Sequence, residues 1–68
     1  MAKPVDIIVR KEGEQFRVVP VSNSARILVS LKFTGTSEVL AESVVIDGDA
    51  LCNLVRFCDL AGYGVWMP

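Results

Sequence analysis

The chain predicts a small α+β domain in which an antiparallel β-sheet of four to five strands packs on one C-terminal α-helix, in the order ββββαβ. The alternative order is ββαβαβ, with a second helix at about residues 24–33. Three observations predict the class. Two segments on either side of Gly13 alternate apolar and polar residues with a period of two, and Val44-Val45-Ile46 forms a short apolar run. A stripe of apolar residues at helical spacing lies between Asp47-Gly48-Asp49 and Gly62.

Val5, Ile7 and Val9 alternate with Asp6, Ile8 and Arg10 through Lys11, and Phe16, Val18 and Pro20 share one face from Gln15 to Val21. With Gly13 in a turn between them, they read as a β-hairpin. Pro20 has no N–H to give to a ladder, so the second strand is at an edge or ends there.

After Ser22-Asn23-Ser24 the periodicity fits two structures. Ile27, Val29, Leu31 and Phe33 alternate with Arg26, Leu28, Ser30, Lys32 and Thr34, and their β-branched and aromatic content favours a strand. The alternative takes Ser22 or Ser24 as an N-cap and Gly35 as a C-cap, with Ile27, Leu28 and Leu31 at helical spacing. The strand is the preferred expectation. Val44-Val45-Ile46 then reads as a strand covered on both faces or central in the sheet.

Asp47 or Asp49 caps the closing helix, because a carboxylate accepts from the free amides of the first turn and complements its positive end. From Ala50 to Ala61 the residues Leu51, Leu54, Val55, Cys58 and Ala61 form the apolar stripe, with Asn53, Arg56 and Asp59 opposite. Gly62 stops the helix and Tyr63 to Met67 pairs as a last strand.

At 68 residues the chain is expected to form one domain over its whole length, 1–68. Folding at this size buries only about 60% of the surface of the unfolded chain, so small domains usually add disulfides, a metal or self-association. Cys52 and Cys58 are six apart on the expected helix, which rotates them away from each other, so both are read as free thiols. The chain has no histidine, and two cysteines do not make a four-ligand zinc site. No metal or cofactor is expected. Met1-Ala2-Lys3-Pro4 is not followed by the apolar run of a signal peptide, and no run is long enough to span a membrane. The expected location is the cytoplasm.

Hydrophobic residues make up 51% of the chain and the mean hydropathy is +0.45, so apolar side chains are expected outside the core and covered by another chain. A net charge of -1 gives no bulk positive field for nucleic acid or an anionic membrane.

No constellation specifies a reaction. Asp47-Gly48-Asp49 lacks the further oxygen ligands of a calcium loop and reads as a turn and cap. Cys52 falls in the first turn of the helix, where the dipole favours a thiolate, but no histidine stands ready as its base. The serines lack a nucleophile-elbow context, and Gly62-Tyr63-Gly64 follows a helix, whereas a phosphate loop opens one. Phe16, Phe33, Phe57, Tyr63 and Trp66, with Arg10, Arg17, Arg26, Lys32 and Arg56, frame a nucleic-acid alternative of stacking rings and phosphate-binding rims.

Tyr63 and Trp66 are three apart on the last strand and so face opposite sides of the sheet. With Cys52 and Leu60, which lie off the helical stripe, they form the candidate interaction residues. The expected function is a non-catalytic protein–protein interaction or self-association module, a homo-oligomer or a small accessory or inhibitory protein. A thiol-dependent enzyme is the remaining alternative.

Overall fold

In a computed structural model, which describes residues 4–68, the elements are β1 (Val5–Glu12), β2 (Gln15–Pro20), α1 (Asn23–Thr34), β3 (Val44–Ile46), α2 (Gly48–Ala61) and β4 (Gly64–Trp66). The α+β class stands, and the order is ββαβαβ. The four strands form one sheet in the order β3-β2-β1-β4. It is mixed, because β4 runs parallel to β1 while the two other pairings are antiparallel.

The β1–β2 hairpin turns through Gly13 and Glu14, between the paired residues Glu12 and Gln15. Gly13 has φ 65°, and Glu14 is not at positive φ, the pattern of a type II′ turn with glycine first. Pro20 ends β2 opposite Ile7, where the ladder to β3, which stops at Val18, no longer asks for its N–H.

The preferred strand over residues 24–33 is a helix instead. Ser22 is its N-cap, with its Oγ accepting from the Ala25 N–H at 3.2 Å, and Gly35 ends it in the left-handed region at φ 80°. Alternation could not decide this segment, because α1 carries apolar residues on both sides. Ala25 and Val29 are buried, while Ile27 and Leu31 face solvent. The loop after α1 folds back on it through Ser30, whose buried Oγ accepts from the Ala41 N–H at 2.8 Å.

β3 is not central. It pairs only with β2 and forms one edge of the sheet, so Val45 is left 42% exposed. From that edge α2 carries the chain across the sheet to β4 at the other edge. Asp47 caps α2 by accepting from the Ala50 N–H at 2.8 Å, and Leu51, Leu54 and Cys58 point into the core. Ala61, expected on the stripe, is exposed because the helix ends there.

The core joins Ile7 and Val9 of β1, Val18 of β2 and Ile46 of β3 to Ala25 and Val29 of α1 and Leu51, Leu54 and Cys58 of α2. All the strand residues of this cluster lie on one face of the sheet, since cross-strand partners share a side. Both helices therefore cover the same face. Asp6 locks this layer to the sheet: its backbone C=O accepts from the Val21 N–H at 2.7 Å, and its carboxylate accepts from the Gly64 N–H at 3.0 Å. That carboxylate fills the irregularity between Val5 and Ile7 in the β1–β4 ladder.

Candidate functional site

The period of two that sends Ile7, Val9 and Val18 into the core sends their neighbours to the other face. There Val19 of β2 lies opposite Ile8 of β1, and Ile8 lies opposite Trp66 of β4. Three apolar side chains thus stand in one row across three strands. In the next row Arg10 lies opposite Arg17, and Arg17 opposite Val45. No described helix or strand lies over this face. Ile8 and Val19 are half-buried by their neighbours, and Trp66 is 53% exposed.

The charged residues beside the row are partly internally satisfied. Arg17 donates from Nε and Nη2 to the two carboxylate oxygens of Glu12, at 2.6 and 3.2 Å, and from Nη1 to Ser43 Oγ at 2.9 Å. The Arg17 guanidinium holds the Glu12 carboxyl below its ordinary range. Arg10, directly across from Arg17, is exposed and makes no such paired contact. Gly64 N–H and the Ser22 hydroxyl, both donating to Asp6, hold its carboxyl below the ordinary 3.8.

The four candidate interaction residues do not form one patch. Tyr63 packs half-buried against the core, and Trp66 faces the uncovered side, as their spacing requires. They line a shallow groove of about 470 Å³ at the β4 edge, with Val55, Asp59 and Met67. Cys52 is exposed on α2 and lines an adjoining groove that shares Val55, Asp59 and Met67. Leu60 lines neither; at 83% exposure it lies on the solvent side of α2.

The basic residues of the nucleic-acid alternative are also divided. Arg10 and Arg17 share the uncovered sheet face, whereas Arg26 and Lys32 sit on α1 and Arg56 on α2. Lys32 Nζ is 5.6 Å from the centre of the Phe57 ring, a cation–π contact between the helices. Phe16 and Phe33 pack on the core, which leaves Trp66 as the ring on the arginine face.

Both cysteines are free, Cys52 exposed and Cys58 buried. Burial, reinforced by the negative Asp6, pushes the Cys58 thiol up, away from the thiolate that nucleophilic chemistry requires. Among the described residues no three metal-ligating side chains gather into a cluster. No described helix is long and apolar enough to cross a membrane.

No family model, curated protein or solved structure matches the chain. The site therefore rests on its own geometry. Sequence reasoning found Trp66 but missed Ile8, Val19 and Val45, the residues that surround it. Ile8 and Val19 sit at the polar positions of an alternating pattern. That departure, apolar residues on both faces of the same two strands, was the available signal.

Proposed function

We propose that the protein is a non-catalytic interaction module that covers the helix-free face of its sheet with another protein surface. The observation that carries this reading is the Val19–Ile8–Trp66 row in cross-strand register, extended by Val45 and by Val21 beyond the end of β2. A continuous apolar row on the bare side of a two-layer fold is the kind of surface that association removes from water. The trade is favourable because each apolar Å² buried contributes about 25 cal/mol. The tryptophan that ends the row on the edge strand β4 supplies a large rigid contact. The free thiols suit a reducing compartment such as the cytoplasm, where an accessory or inhibitory protein of this kind would act.

A photo-reactive side chain placed at Val45, on the face, tests the reading against one placed at Asn53, on the solvent side of α2. Protein adducts are expected from position 45 and not from position 53. Adducts from neither position, or equally from both, would remove the reading.

A second reading is favoured by one observation, the apposition of Arg10 and Arg17 beside Trp66. It takes the same face as a platform for single-stranded nucleic acid, with one ring stacking and two guanidiniums on phosphates. Binding of an oligonucleotide that weakens steeply with salt and disappears in Arg10→Ala is its expected mark. Binding that ignores salt, or no binding at all, would discard it.

A further inference from the structure

We infer that the open edge of β4 takes an extended segment of another protein as a fifth strand, whose alternate side chains enter the cleft between β4 and α2. The inference does not depend on what covers the helix-free face. It starts from the backbone. β4 ends the sheet, and its Gly64 N–H is turned inward to the Asp6 carboxylate on β1. Backbone groups alternate sides along a strand, so the N–H and C=O of Val65 are turned outward, where no described strand pairs with them. Open edges are commonly blunted by charge or proline within the strand. Gly64-Val65-Trp66 has neither.

The side chains agree with the backbone. Val65 lies opposite Ile7, on the core side, where it and Met67 face Val55 and Asp59 of α2 across a groove of about 470 Å³. A second groove of about 470 Å³ adjoins it, lined by the flank of α2 that carries Cys52, Val55 and Arg56, and from the end of β4 by Met67 alone. This flank of α2 therefore stands over the place of a strand beyond β4. A strand added there meets three features at once. Its backbone pairs with Val65, its inward side chains enter the grooves, and its outward side chains continue the Val19–Ile8–Trp66 row past the 53% exposed Trp66.

Strand addition is a recurring mode of peptide recognition, in which ladder bonds and pockets for alternate side chains act together. β4 is only three residues long, so ladder bonds are few and the grooves supply most of the contact. The segment that fits is short, extended and free of proline, with apolar side chains at alternate positions. A helix can fill the grooves but leaves the Val65 N–H and C=O without ladder partners.

The probe is a random heptapeptide library displayed on phage and selected against the intact protein. Trp66, the one tryptophan of the chain, reports the binding of each selected synthetic peptide by its fluorescence. Selected peptides are expected to alternate apolar residues and to lack proline. N-methylation of the alternate set of peptide amides that faces β4 is expected to weaken binding by about fivefold or more, while the other set tolerates it. Val65→Pro, which removes the outward N–H, and Val55→Glu, which puts a carboxylate into the grooves, are expected to weaken binding by at least as much. Leu60→Glu, outside both grooves, is expected to leave it unchanged. Circular dichroism checks the fold of each variant, and the methylated peptides carry the test if Val65→Pro or Val55→Glu does not fold.

Enrichment of no peptide, equal tolerance of methylation in both sets, or binding indifferent to a folded Val55→Glu variant would overturn the inference. So would a protein that sediments as a dimer until Val65→Pro is introduced, because its own β4 then fills the edge. Adducts from position 45 report on the helix-free face separately. Their loss with peptide binding retained removes the face reading alone, and their presence without peptide binding removes this inference alone.

Discussion

The two helices begin and end alike but differ in what lies between. α1 starts at Ser22 and stops at Gly35; α2 starts at Asp47 and stops at Gly62; each cap accepts an N–H from the first turn, and each stop glycine has a φ of 80° or more. Inside α2 the buried Leu51, Leu54 and Cys58 form a single stripe. Inside α1 the buried Ala25 and Val29 are small, while the larger Ile27 and Leu31 face solvent. Helix ends here are specified by local hydrogen bonding, whereas the buried face is specified by what each helix packs against. α2 can be read from its periodicity and α1 only from its caps.

Removing core volume gives the largest expected effect. Leu54→Ala, at a fully buried position, is expected to cost about 3 kcal/mol through lost burial and the cavity left behind. Ile27→Ala, an equally large side chain on the outer side of α1, is expected to cost well under half of that. Chemical denaturation of the two variants measures the contrast. Comparable losses would mean that α1 packs through Ile27 after all.

Next comes Ser30→Ala, which strands the Ala41 N–H and is expected to cost about 2 kcal/mol. Hydrogen exchange at Ala41 should quicken in this variant before exchange in the β1–β2 ladder does. Unchanged protection there would show that the loop is held by something else.

The caps give a smaller and matched pair. Ser22→Ala and Asp47→Ala are each expected to cost about 1 kcal/mol, read as a lowered denaturation midpoint with an unchanged slope. A large loss at one cap and none at the other would break the parallel between the helices. Smallest of all, Leu31→Glu on the solvent side of α1 is expected to change stability by no more than about 0.5 kcal/mol.

Asp6 ties the two regions together, since it takes the Ser22 hydroxyl where α1 begins and the Gly64 N–H just after α2 ends. Its carboxyl is held below 3.8 in the fold, so the unfolded chain binds the proton more readily. The stability it contributes is therefore complete above the ordinary aspartate range and is lost as pH falls through the lower folded value. Acid titration of the unfolding midpoint should show this loss, and Asp6→Asn should flatten that part of the profile. A profile identical in the two proteins would mean that the carboxylate gives no net support to the seam.

Much of the fold was legible in the chain because it is set by neighbours in sequence. The hairpin follows from alternation around Gly13, and α2 from a carboxylate cap, one stripe and a glycine stop. The α1 segment was harder. Its residues satisfy the strand period as well as the helical one, and its larger apolar residues divide between the core side, Leu28 and Phe33, and solvent, Ile27 and Leu31. The candidate site was legible only in Trp66. Its partners Ile8 and Val19 lie in β1 and β2, far from it in sequence, and no local pattern shows that they will stand in one row.

By itself, then, the sequence determined the α+β class, the hairpin, and the start and stop of α2, because turns and caps form between residues a few positions apart. Only the tertiary structure decided that residues 23–34 are helical, that β3 is an edge, and that β4 lies parallel to β1. The same long-range pairing placed both helices on one face and left Val19, Ile8 and Trp66 bare on the other. Which face of a sheet is covered depends on the path of the whole chain, and the period of two alone says only that there are two.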